Sequence, residues 1–360
     1  MPAPKIGLQT HIWNNNAKSM ALLAFYPILI LGITWLCTLV VTNIAAPHPV
    51  IDSYQSPGQI QTMFANNLIY KYWPLIITGV FIWFMVAWFF HTSMIRKLSH
   101  SHPVTRKDEP ELYNLLENLS ITAGITTPRL EIIETHARNA FASGIDQKSF
   151  TVTVTRGLMT ALTKDELEGV LAHELTHILN RDVRLLIITI IFTGMIGFAA
   201  QIVWSQIRYG FRFSGNRRDK GGGIVIMLAL AATLWIGYML TLFTRFAISR
   251  KREYMADAGA VQLTKNPEAM MSALQRIAGR DHIPETTGDI AMMCIENHKP
   301  FMGMFATHPP IEKRIRALAD TTGTQIPTLS LPPAPQGERF QDSSSQNPWL
   351  ASNRGHRKKR

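Results

Sequence analysis

Residues 163–182 read TKDELEGVLAHELTHILNRD. Thr163 followed three positions later by Glu166 is a capping box, in which side chain and backbone satisfy each other's hydrogen bonds where a helix opens. The helix it opens runs through LEGVLAHELTHIL. Inside it stand His173-Glu174-Leu175-Thr176-His177. Residues four apart on a helix lie about 40° apart around it and about 6 Å along it. Two imidazoles so placed can meet one Zn²⁺ at about 2.0–2.1 Å. Glu174, beside the first of them, is positioned to take a proton from the attacking water. With 12 histidines in 360 residues, random order would give this HExxH pattern roughly 0.02 times.

A hydrolytic zinc needs a third protein ligand and an open position. Glu253-Tyr-Met-Ala-Asp257 offers one. Glu253 is the candidate ligand. Asp257, one turn on, can accept a hydrogen bond from the far nitrogen of a ligating histidine. Such i, i+4 acidic pairs are commonly a solvated helix face. This one is singled out by its place just after an apolar run and downstream of HExxH.

Further outward, composition sets the setting. Charged residues are 17% of the chain, below the roughly 25% of soluble proteins. Four stretches, 20–42, 72–90, 185–204 and 224–244, contain no Asp, Glu, Lys or Arg. Each is long enough to cross a bilayer, and the rest of the chain has an ordinary charge content. The net charge of +11 is concentrated in 208–220, 245–252 and the tail from 324. That pattern fits membrane topogenesis and headgroup contact. No nucleic-acid-binding module accompanies it, so no nucleic-acid partner is expected. Two cysteines cannot build a disulfide framework.

The expected organisation is a polar leader over 1–19, then a two-span anchor over 20–98 with an external loop at 43–71. The first half of a cytoplasmic zinc-protease domain follows over 99–184, a transmembrane hairpin over 185–244, the second half over 245–321, and a disordered basic tail over 322–360. Lysines and arginines after residue 91 place the catalytic domain inside. PELYNLLENLSITA (110–123) predicts an amphipathic helix; LEIIE (130–134) and FTVTVT (150–155) predict strands.

These motifs resemble a known family: the HtpX-type membrane-embedded zinc metallopeptidases, gluzincins related to the CAAX prenyl proteases. The resemblance covers most of 105–318 and rests on NAFASG (139–144), HELTHILNRD (173–182), SRKREYMADAGA (249–260) and HPPIEKR (308–314). It implies one Zn²⁺ per chain on His173, His177 and Glu253, with Glu174 as general base and Asp257 behind the ligands. His308 and Arg314 match the family's HP-x-x-x-x-R pair, implied to lie near the site and to steady the oxyanion. Asn139, Ala140 and Phe141 match its substrate-side segment, beside a strand edge able to pair with extended peptide. The leader, the tail and the long basic loop at 205–223 depart from the family pattern without touching the zinc motifs.

The expected fold is mainly α (α+β): a zincin-like domain with a small sheet, anchored by about four transmembrane helices. The expected function is zinc-dependent hydrolysis of damaged or misfolded membrane proteins in a bacterial inner membrane. The partners are protein substrates and the lipid bilayer; oligomeric state is not legible. Prenyl-peptide processing is one rival, for which four spans are few to enclose a chamber. A non-catalytic membrane adaptor is another, against which the intact Glu174 argues.

Overall fold

The computed structural model describes residues 8–45, 57–209, 220–247, 251–278 and 309–328. Helices α1 (Leu8–Ala45) and α2 (Pro57–Ser99) lead into the short strand β1 (His102–Pro103) and helix α3 (Pro110–Ala123). Strands β2 (Arg129–Ile133), β3 (Ala140–Ser143) and β4 (Thr151–Thr155) follow. Then come α4 (Arg156–Ala161), α5 (Lys164–Leu179), α6 (Asp182–Tyr209), α7 (Lys220–Ala247), α8 (Lys251–Thr264), α9 (Pro267–Ile277) and α10 (Ile311–Thr322). The described residues are mainly helical with one four-stranded sheet, the fold class that the sequence predicts.

The sheet runs β1-β2-β4-β3. β2 and β4 are parallel, with Arg129 opposite Thr151 and Ile133 opposite Thr155. β3 is antiparallel to β4, with Ala140 opposite Val154, and forms an edge. All five residues of β4 are buried, as a strand covered on both faces should be. Leu112, Leu116, Ile132, Val154, Leu171, Leu175 and Leu274 share one continuous core, so α3, α5 and α9 are packed around the sheet by the same apolar contacts.

α1, α2, α6 and α7 form the apolar part. α6 packs on α7, and α1 contacts α2, α6 and α7. Tyr26 stacks on Phe192 with ring centres 4.5 Å apart, and Phe84 lies 5.6 Å from the same ring. Among the described residues, three segments have the length and hydropathy to cross a membrane: Ala17–Ile44, Gly58–Ser99 and Asp182–Arg208. α7 carries a further apolar run, Val225–Thr241, within its 28 residues.

Two helices are longer than hydropathy suggests. α1 takes in residues 8–19 of the expected leader, and α2 takes in residues 57–71 of the expected external loop. Hydropathy marks the length of helix that suits lipid, not the length that is helical. Pro57 is compatible with a first helical position, and Asn66 ties α2 to α1, its exposed Oδ1 accepting from Trp35 Nε1 at 2.9 Å. The 43 residues of α2 extend about 65 Å, roughly twice a hydrocarbon core, so the helix reaches the sheet. There Arg96 Nε and Nη2 donate to Glu131 Oε1 at 2.8 and 2.5 Å, and Ser101 Oγ donates to Oε2 at 2.6 Å. Higher up, Trp83 Nε1 donates to the Ile191 carbonyl at 3.2 Å. α2 is thus fastened to both the sheet and α6.

The contact that matters most for the site is α5 against α8. A Cβ at Gly259 would sit 2.4 Å from Thr176 Cγ2. Only a residue with no side chain allows α8 this close. Gly259→Ala gains about 0.5–1 kcal/mol of helix preference but overpacks the contact at about 1–3 kcal/mol. We therefore expect a lower unfolding temperature in detergent and weaker metal retention. Adding Thr176→Ala should recover part of both, whereas an unchanged single variant would show that the two helices do not press together here.

Candidate active site

α5 begins with the anticipated capping box: Thr163 N donates to Glu166 Oε2 at 2.8 Å, and Glu166 N to Thr163 Oγ1 at 3.4 Å. Arg276 Nε also donates to Glu166 Oε1 at 2.8 Å, which anchors the start of α5 to α9. Two turns on, His173 is fully buried, Glu174 is buried, and His177 lies on the same helix face with its side chain 14% exposed. α8, arriving after α7, brings Glu253 to them.

His177 Nε2 and His173 Nε2 are 3.2 Å apart. Glu253 Oε2 is 3.7 Å from His173 Nε2, and Glu253 Oε1 is 3.6 Å from His177 Nε2. A tetrahedral zinc with bonds of about 2.0–2.1 Å holds its ligand atoms about 3.4 Å apart. The three edges fit that ion. Among the described residues this trio forms a group of three potential ligands with their ligating atoms within 4.8 Å of one another.

Both histidines turn Nδ1 toward a carboxylate and Nε2 toward the ligand triangle, the arrangement that fixes the useful tautomer. His173 Nδ1 lies 3.0 Å from Asp257 Oδ1. His177 Nδ1 lies 3.1 Å from Asp182 Oδ2. Arg314, fully buried on α10, grips Asp257 with two donors: Nε to Oδ2 at 2.9 Å and Nη2 to Oδ1 at 2.6 Å. Its Nη1 is 3.6 Å from Glu253 Oε2.

Electrostatics follow from this burial. Desolvation alone would raise Asp257, but Arg314 and then His173 hold its carboxyl below the usual range. Burial likewise opposes the Arg314 charge, and Asp257 more than restores it. Glu174 is pushed up by burial against the opposite pull of the two histidines, and it takes a hydrogen bond from the Ala142 backbone. A carboxylate with raised proton affinity is a stronger base. Burial opposes charge on His173, but hydrogen bonds to Asp257 and Glu253 outweigh it and carry its pKa up to about 9.

The site thus assembles His173, Glu174, His177, Glu253, Asp257 and Arg314. Asn139 is buried at the start of β3, where its Oδ1 accepts from Ala140 N at 3.0 Å. Ala140 and Phe141 lie on the edge strand. Phe141 is fully buried in the core, so the segment offers its backbone rather than that ring. His308 lies outside the described residues. Asp182 and its neighbour Arg252 were not singled out by sequence. A carboxylate in the first turn of a helix is ordinary, since it favours the helix dipole. Its position five residues past His177 was the available signal.

Metal must displace a proton from His173. Below about pH 9 the imidazole is protonated in the metal-free site, so apparent zinc affinity should fall about tenfold per pH unit from this group as pH drops. Competition against a chromophoric chelator at pH 7, 8 and 9 reads this. Affinity that does not change across that range would contradict it.

The chain is similar to known proteins over most of its length. The family model described as Peptidase family M48 matches residues 106–322. A "Protease HtpX homolog" of Bacteroides fragilis is 42% identical over 325 residues, spanning 87% of this chain and 98% of that protein. A "Protease HtpX homolog" of Lactobacillus acidophilus is 36% identical over 256 residues, spanning 68% and 84%. Among solved structures, the crystal structure of S. mikatae Ste24p aligns with a TM-score of 0.42 at 20% identity, covering 85% of this chain and 66% of that one. The matched segment holds every described residue of the metal-ligand triangle and its supports, and the chain belongs to peptidase family M48.

Proposed function

We propose that this chain is a zinc metalloendopeptidase of a bacterial inner membrane that hydrolyses peptide bonds of damaged or misfolded membrane proteins. Four crossing helices hold it, with the catalytic domain on the cytoplasmic face. The observation that carries the chemistry is the ligand triangle of His173, His177 and Glu253 with the Glu174 carboxylate beside it. The relatives' description as proteases supports peptide-bond hydrolysis, and the long apolar helices support substrates at the membrane.

Bound by those three residues, zinc would supply Lewis-acid polarisation of the scissile carbonyl and make water a better nucleophile. The chain's own residues do the rest. Strand alternation turns the backbone of Ala140 and Ala142 away from β4; Ala140 N donates to Asn139 Oδ1 and Ala142 N to Glu174, which leaves their carbonyls to pair with an extended peptide. Glu174, raised in proton affinity, takes a proton from the attacking water and delivers it to the departing amine nitrogen as the C–N bond breaks. Arg314 is enclosed and engaged with Asp257, so it acts on the site by charge. His308 is the candidate for direct contact with the carbonyl oxygen.

Glu174→Gln removes the proton acceptor and leaves the three ligands. We expect zinc content to stay at one per chain while cleavage of an unfolded membrane-protein substrate falls about 10²–10⁴-fold. Near-normal cleavage at confirmed zinc content would remove Glu174 from the base role.

The same site allows α6 and α7 two membrane crossings or none, and two full crossings is the reading proposed. His173 and His177 precede this pair of helices, Glu253 follows it, and all three meet, so both ends must lie on one face of the membrane. A cysteine replacing Ser214, with Cys37 and Cys294 removed, should react on intact cells with a membrane-impermeant thiol reagent. Protection until the cells are opened, while a control cysteine replacing Ser53 reacts, would mean the pair does not cross.

A further inference from the structure

The starts of α6 and α8 meet beside the ligand triangle. Asp182 is the first residue of α6, and Arg252 is the second residue of α8, directly before Glu253. Asp182 is buried, 3% exposed. Its Oδ2 lies 3.1 Å from His177 Nδ1. Arg252 Nη1 lies 3.6 Å from Asp182 Oδ1 and donates to the Asp182 carbonyl at 3.4 Å. A chain of contacts therefore runs from His177 through Asp182 and Arg252 to the backbone that carries Glu253.

We propose that Asp182 is a positioning residue for the metal: it accepts the His177 Nδ1 proton, so that Nε2 presents its lone pair to the ion, and Arg252 holds Asp182 in that pose. Asp257 does the equivalent for His173, clamped by Arg314. The two histidines are thus supported by separate carboxylate–arginine pairs. The pair behind His177 joins the start of α6 to the start of α8, which makes that junction a condition for the ligand geometry. The inference rests on the zinc reading above.

The test is zinc affinity of the full-length protein in detergent, measured by competition with a chromophoric chelator. A wild-type protein without tight zinc would sink the zinc reading itself, before any variant is compared. Given tight zinc in wild type, Asp182→Ala should weaken binding about 10–100-fold, the usual effect of losing a carboxylate behind a ligating histidine. Asp182→Asn keeps an acceptor for the Nδ1 proton and should bind at least about tenfold more tightly than Asp182→Ala. Arg252→Ala should weaken binding less than Asp182→Ala, and the double variant should be no worse than Asp182→Ala alone, because Arg252 acts through Asp182. Thermal unfolding of the metal-free proteins separates this from a helix-start role, which would move melting and leave zinc affinity alone. Wild-type affinity in Asp182→Ala, equal loss in the Asn and Ala variants, or additive losses in the double variant would each overturn the proposal.

Discussion

Two helices separated in sequence by an apolar hairpin must touch before there is a site at all. α5 carries both histidines and the base; α8 carries the third ligand and the carboxylate behind His173. Their approach is set where Gly259 meets Thr176, at a distance no side chain allows. Everything else in the catalytic domain serves that contact. The sheet and α3 give α5 a fixed bed, α9 packs against it, and α6 and α7 return the chain to the point it left. The hairpin is therefore a structural link in the site as well as an anchor.

The second constraint is electrical. Glu174, Glu253, Asp257 and Asp182 are all buried within a few ångströms of the histidines. Burying charge is costly unless it is paired with good geometry. Arg314 answers Asp257 with a two-donor fork, and Arg252 answers Asp182. Glu253 and Glu174 are left facing the place where the dication fits, one to bind and one to move a proton. That division follows from position alone: Glu253 reaches both Nε2 atoms, while Glu174 points to the backbone of the edge strand at Ala142.

Much of this was legible in the sequence because the signals are local. The capping box marks the start of α5, the HExxH spacing puts two imidazoles on one face, and PELYNLLENLSITA coincides with α3. The Thr/Val alternation of 150–155 marks β4 to within a residue. Glu253 and Asp257 were found by spacing, at the helix where they stand. What escaped is non-local or carries no pattern. β3, four residues long, lacks alternation between apolar and polar and is a strand only because β4 pairs with it. β1 is two residues held by β2. The polar first turns of α2 were read as loop because hydropathy reports lipid contact. Asp182 stands five residues past His177, a weak signal, because its partner is set by how α6 leaves α5.

The central claim is that zinc sits on two imidazoles and one carboxylate. X-ray absorption at the zinc edge of the purified protein tests it directly. The account predicts two imidazole nitrogens at about 2.0–2.1 Å with oxygen making up the rest of a four-coordinate shell, and no sulfur. A sulfur scatterer at about 2.3 Å, or a shell of three imidazoles that is unchanged when Glu253 is replaced by alanine, would contradict it.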